Sequence, residues 1–236
     1  MSISERFLGV FTSPKKTLEA VAEKPIWVDA FVIILIVVAV YTYIITPIVQ
    51  TETVSLIQNN TRLQERMGKD RFDQYVKSQE NPSPTRRLVN SVALAPAGQA
   101  VGFLLSAVFL LIFGRIVATS GSYKQVLAVL VNASFIDKVL GNGVRLLIIL
   151  AKKSVFQTST SVVMFFPKMT FGSPAFIVLS QLDFFGLWTY GVLAFGLAAA
   201  FKVEVKKALY VSYGFFLLKS IVYIALGFLS RSFMGG

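Results

Sequence analysis

Cysteine and histidine are both absent from the 236 residues of this chain. Their absence removes disulfides, thiol nucleophiles, serine–histidine catalysis and zinc sites built on Cys or His ligands. It says nothing of compartment, since reducing and oxidising sides both tolerate a cysteine-free chain. Charge is scarce as well. Only 15% of residues are Asp, Glu, Lys or Arg, where a soluble domain carries about a quarter. There is no nucleophile elbow, no phosphate-binding glycine loop and no HExxH pattern, so the chain is not expected to be an enzyme or to need a cofactor. A secretory signal is not expected either. Met1 to Asp29 is mixed in charge, and the first long apolar run begins only afterwards.

What fills the chain instead is apolar sequence in long blocks, with a mean hydropathy of +0.67. Hydrocarbon offers no hydrogen-bond partners, so such blocks cross a membrane as helices or as a closed barrel. These blocks are continuous rather than alternating, and helices follow. The net charge of +11 is spread over loops. That spread fits attraction to anionic lipid headgroups, with the bilayer as partner and no nucleic acid. The expected fold is all-α: an integral membrane bundle of about five transmembrane helices with a short N-terminal surface helix, one domain over residues 1–236.

Residues 1–27 read as an interfacial segment. In "FTSPKKTLEAVAEKPIW" Ser13 suits an N-cap and Pro14 the first helical position, with the helix ending near Glu23, before Pro25. Leu18 and Val21 repeat at helical spacing, and Trp27 suits the headgroup level. Val28 to Ile48 is the first span. It is about 31 Å of helix, which matches the hydrocarbon thickness, and Pro47 marks its exit. Residues 50–87 form a polar extramembrane helical loop, with a weak stripe of Val54, Ile57, Leu63, Met67, Phe72 and Tyr75, closed by "NPSPT" from Asn81 to Thr85.

Leu88 to Ile116 is the second span. Gly98, Gly102 and Ser106 recur in it at four-residue spacing, a stripe that lets another helix come close. The third, Val126 to Leu150, carries Asn132, Ser134, Asp137, Lys138, Asn142 and Arg145, and "GNG" is a candidate break. Residues 152–181 read as an external loop with a short re-entrant or surface helix. Leu182 to Phe201 is the fourth span, with Gly191 and Gly196 for close packing. The fifth follows the basic turn "KVEVKK" and carries Lys219 near its middle.

Ionisable residues at membrane depth point into a bundle, pair with one another and often mark a function. Asp137, Lys138, Arg145 and Lys219 are therefore a candidate intramembrane polar cluster, with Asp137 paired to Lys138, Arg145 or Lys219. A small-solute or ion transporter using Asp137, Arg145 and Lys219 is the alternative to a structural role. Asp29 and Asp183 sit where helices start, favourable places for an anion, and Trp188 accompanies Asp183 in an aromatic interface. No metal site is expected.

Three stretches resemble the Yip-one (Ypt-interacting protein) domain family in its bacterial branch. They are "FTSPKKTLEAVAEKPIW", "GSYKQVLAVLVNASF" and "LSQLDFFGLWTYGVLAFGLAAAFKVEVKKAL", the last with an Asp-aromatic-x-x-x-Trp start. The resemblance implies five spans, a cytoplasmic N-terminus, an external C-terminus and a membrane-organising or scaffolding role, in a bacterial cytoplasmic membrane. Eukaryotic relatives bind prenylated small GTPases through motifs in a longer N-terminal region. Those motifs have no counterpart here, so that role is not carried over. The Asp137–Lys138 pair departs from the family's more apolar, often proline-containing stretch.

Loop charge alone does not orient the chain, but the compact "KVEVKK" turn favours its own side, and the N-terminus with it, as cytoplasmic. With no native cysteine, Ser2→Cys and Ser232→Cys can be labelled singly in right-side-out vesicles by an impermeant maleimide. Ser232→Cys is expected to react and Ser2→Cys to stay protected; the opposite pattern reverses the topology.

Overall fold

The computed structural model describes residues 1–80, 83–156 and 158–234, with residues 233 and 234 described by their backbone alone. Asn81 and Pro82 of the expected turn lie outside the described residues. Among those residues the fold is all-helical, apart from a single antiparallel bridge between Ser161 and Asp183. Two helices come first, α1 (Ile3–Thr12) and α2 (Pro14–Glu23). They are followed by α3 (Val28–Gln58), α4 (Thr61–Met67), α5 (Lys69–Glu80) and α6 (Pro84–Leu88). A π-helical turn (Val89–Leu94) joins α6 to α7 (Ala95–Arg115), and another (Ile136–Gly141) joins α8 (Tyr123–Ala133) to α9 (Asn142–Lys152). The short α10 (Pro174–Leu179) precedes α11 (Phe184–Phe201) and α12 (Val205–Met234). Four helical stretches are long and apolar enough to cross a membrane: Val28–Gln58, Pro84–Val117, Phe184–Phe201 and Val205–Ser232. The protein is a multi-pass membrane protein. The expected third span is the interrupted path α8–π–α9, whose pieces are individually short.

The N-terminal segment holds two helices where one was expected. Ser2 caps α1 reciprocally with Glu5, a complete capping box. That bond with Ser2 holds the Glu5 carboxyl below its usual range. Ser13 does occupy the cap position of α2, with Pro14 behind it, but its side chain makes no capping bond. The apolar stripe of α2 meets protein rather than lipid. Leu18, Val21 and Ala22 are buried against α8 and α11. Gly196 makes this docking possible: a Cβ there would stand 2.7 Å from the Val129 side chain and 3.2 Å from Leu18. The main core gathers around α11, where Leu193 and Leu197 are fully buried.

Pro47 does not end α3. The helix continues to Gln58. Proline has no N–H for the carbonyl of Tyr43 one turn earlier, and Arg87 supplies a substitute. Its guanidinium donates to that carbonyl at 3.0 Å and lies 4.4 Å above the Tyr43 ring. Beyond the proline, α3 projects as a polar extension. Val54 packs there with Phe72 and Val76, joined by Ile57, Leu63 and Met67, as a small satellite core. Glu52 ties the extension to the 152–181 loop by accepting from the backbone N–H groups of Val155 and Phe156 at 2.7 and 3.2 Å.

The small-residue positions of the two stripes do different things. Gly98 and Gly102 have nothing within 4 Å of where a Cβ would stand. This part of α7 faces open space, not another helix. At Gly191 a Cβ would stand 2.9 Å from the Tyr213 hydroxyl, and Gly196 is the tight contact above. Gly196→Leu is expected to overpack the α2–α8–α11 contact and cost about 1–3 kcal/mol or more. Gly98→Leu should stay within about 0.5 kcal/mol of wild type. Thermal unfolding in detergent micelles measures both. Equal effects at the two glycines would contradict this packing.

Candidate functional site

The π turn at Ile136–Gly141 is where the polar residues of the third span gather. A helix that widens for one turn realigns its side chains, and such turns frequently sit at functional positions. Asp137 and Lys138 lie on it. The Lys138 ammonium is 2.8 Å from one Asp137 carboxylate oxygen, and the Arg145 guanidinium is 2.9 Å from the other. Arg145 reaches back past Gly141, where a side chain would press on Arg145 at 3.1 Å and on the Phe185 ring at 3.0 Å. The guanidinium carbon stands 5.5 Å from the centre of that ring.

Arg145 also donates to Asp183 at 2.7 Å, to the Thr160 hydroxyl at 2.9 Å and to the Asn142 side-chain oxygen at 3.1 Å. Thr160 in turn donates to the second oxygen of Asp183. Asp183 accepts from the Gly186 backbone N–H at 3.0 Å, so it is at once the N-cap of α11 and a member of the ion cluster. The 152–181 loop returns to the same point. Phe184 N–H donates to Thr160 O at 3.0 Å, and Val162 N–H to Leu182 O at 3.1 Å.

These contacts revise the expected grouping. Asp183, assigned only to the start of its helix, belongs with Asp137 and Arg145. Of the three cations offered as partners for Asp137, Lys138 and Arg145 pair with it, whereas Lys219 has no carboxylate within ion-pair distance among the described residues. Its ammonium lies 5.7 Å from the ring centres of both Tyr190 and Tyr223. Trp188 packs on Phe184 and on Phe11 of α1, with ring centres 5.9 and 6.1 Å apart. It joins helices here. Two partners went unread in the sequence. Thr160 is one hydroxyl among several in "TSTS", and Arg6 is a lone cation ahead of the expected surface helix. Arg6 is 2% exposed, pairs with Asp29 and donates to the Ile26 carbonyl at 3.3 Å. No spacing rule links residues so far apart in sequence.

The ion cluster and Lys219 face a common cavity of about 620 Å³ between α7, the π turn, α11 and α12. Gly98, Gly102 and Ser106 form its α7 wall. The stripe read as a helix-packing surface is therefore a cavity lining, because small side chains leave room as readily as they allow approach.

Comparison with protein families finds the one described as the Yip1 domain, matched over residues 8–227. Comparison with curated proteins gives no match, and comparison with solved structures gives none either.

Replacing Arg145 with Met leaves Asp183 without its cation in a site where all three side chains are about four-fifths buried. Breaking a buried pair in this way costs about 3–5 kcal/mol. Asp183→Asn should cost less, and the double variant should be more stable than the sum of the two single losses predicts. Unfolding in micelles tests this cycle. Strict additivity would mean that the pair is not coupled.

Proposed function

The chain belongs to the Yip1 domain family, and from that premise we propose a non-enzymatic membrane-organising or scaffolding protein, a bacterial-type member seated in a cytoplasmic membrane with its N-terminus on the cytoplasmic side. The observation that carries this reading is the charge at one end of the bundle. Ser120 donates its hydroxyl to the Phe201 carbonyl, and Gln125 donates to the Ala22 carbonyl at 2.9 Å. The end of α2, the turn between α7 and α8, and the turn between α11 and α12 therefore meet. Lys24, Arg115, Lys124, Lys202, Lys206 and Lys207 are exposed around that junction, against the carboxylates of Glu23 and Glu204. The junction is well braced, since Arg115 donates to the carbonyls of Thr119, Ser120 and Gly121.

Cations fixed beside a bilayer surface attract anionic headgroups at about 1 kcal/mol each. They also favour the cytoplasmic side, by the same bias that orients membrane proteins during insertion. A non-enzymatic role fits the polar cluster too. Asp137 and Asp183 both accept from Arg145, so the two carboxylates hold an arginine of the chain itself and tie its segments together.

A direct test places the protein in nanodiscs of zwitterionic lipid and measures capture of phosphatidylglycerol vesicles. Capture is expected for the wild type, with at least a tenfold loss in Lys124→Ser/Lys202→Ser/Lys206→Ser/Lys207→Ser, by roughly 1 kcal/mol per cation removed. It should weaken with added salt. Capture that ignores vesicle charge, or that survives the quadruple substitution, would sink this reading.

A further inference from the structure

Charge in the 620 Å³ cavity does not balance. Two carboxylates, Asp137 and Asp183, meet two cations, Lys138 and Arg145, in direct ion pairs. Lys219 is the fifth charged side chain on the wall, and among the described residues it has no counter-ion. Its two aromatic neighbours offer about 0.5–2 kcal/mol of cation–π stabilisation. A lysine at this depth of a membrane helix costs about 2.5–3.5 kcal/mol or more. The cavity as built therefore calls for one negative charge.

Its hydrogen-bonding groups ask for the same thing. Ser134 and Thr189, also on the wall, spend their hydroxyl hydrogens on helix carbonyls at 2.7 Å each. By contrast, the hydroxyls of Tyr190, Ser220 and Tyr223 and the amide of Gln99 line the cavity with no protein hydrogen bond among the described residues. Tyr190 and Ser220 are 7% and 9% exposed, so these are sheltered donors. A cation that shares a cavity lining with residues carrying idle O–H and N–H donors suits an anion rich in acceptor oxygens.

Size and setting narrow the class. A volume of about 620 Å³ far exceeds a bare oxyanion and falls in the range of sites for whole small molecules. The cavity lies between α7 and α12, two spans that touch elsewhere through Phe109 and Phe113 against Phe215. Beside it, Val101 and Leu105 of α7 and Leu226 of α12 are more than half exposed, as lipid-facing residues are. Polar donors within and hydrocarbon-facing walls beside them match an amphiphile.

We infer that this cavity binds the phosphate headgroup of an anionic phospholipid, with the Lys219 ammonium as its charged ligand and the Gly98–Gly102 wall as the space the headgroup fills. This deepens the membrane-organising reading and rests on it, but through residues outside the basic end. The experiment uses the purified full chain in neutral detergent. Lipid retention is read by native mass spectrometry and thermal stability is measured in parallel. Dilauroyl phosphatidylglycerol is compared with dilauroyl phosphatidylcholine, and glycerol phosphate and inorganic phosphate serve as soluble probes.

The wild type is expected to retain phosphatidylglycerol at least about tenfold over phosphatidylcholine, the scale set by removing one partner of a buried charge pair. Lys219→Met should abolish that preference and Lys219→Arg keep part of it. Gly102→Leu, which fills open space, should lose retention while unfolding like the wild type. Stabilisation by the lipid and not by the soluble probes assigns the phosphate to a lipid. Equal stabilisation by glycerol phosphate keeps the anion site and overturns its assignment to lipid. Unchanged preference in both Lys219→Met and Gly102→Leu overturns the inference. The Lys124/Lys202/Lys206/Lys207 variant should retain lipid normally, so loss of vesicle capture and loss of cavity binding are read separately.

Discussion

A guanidinium buried in a helix bundle must be matched by negative charge and by enough acceptors for its N–H groups. Arg145 is where this chain meets that demand, and three separate segments come together because of it. The π turn offers Asp137, the returning loop offers Thr160, and the start of α11 offers Asp183. None of these segments is a long straight helix at that point. Irregular backbone is tolerated at depth only where protein or a wet cavity covers it.

Around α11 the constraint is different. The helix presents glycines and alanines to its neighbours, so α2 and α8 approach closely on one side while α12 packs through Tyr190, Phe215 and Phe216 on another. Dispersion contact carries this part of the fold, since lipid tails are as apolar as the side chains themselves. The N-terminal pair is fixed by polar contacts as well. The Ile26 carbonyl receives both Arg6 and Asn132. Arg6 Nε and Asn132 Oδ1, a donor and an acceptor, are buried there without partners.

Much of this was legible in the amino acids. Hydropathy placed four of the five expected spans, and the lack of alternation pointed away from a barrel. The stripe of Val54, Ile57, Leu63, Met67, Phe72 and Tyr75 anticipated the satellite core, except that Val76 belongs to it and Tyr75 is exposed. The three stretches that resemble the Yip-one family point to the family whose domain the chain carries. Other features needed coordinates. Pro47 read as a stop because a proline removes a helix hydrogen bond, and nothing local reveals that Arg87 replaces it. The Gly98–Gly102 stripe read as a contact surface because spacing records where small residues lie and not what stands opposite. Asp183 and Asp137 are far apart in the chain, and no local pattern shows that Arg145 draws them together.

The length of α3 has a mechanical meaning. Its 31 residues make a rod of about 46 Å, while the hydrocarbon it crosses is about 30 Å thick. Some 16 Å therefore extends beyond the hydrocarbon, through the headgroup layer on the side away from the basic end. It is stiffened by the satellite core and guyed to the neighbouring loop through Glu52. A rigid stub on one face and short turns on the other make the molecule asymmetric in profile. A second membrane could lie close against the basic end, whereas on the opposite face it would be held off by a built-in spacer.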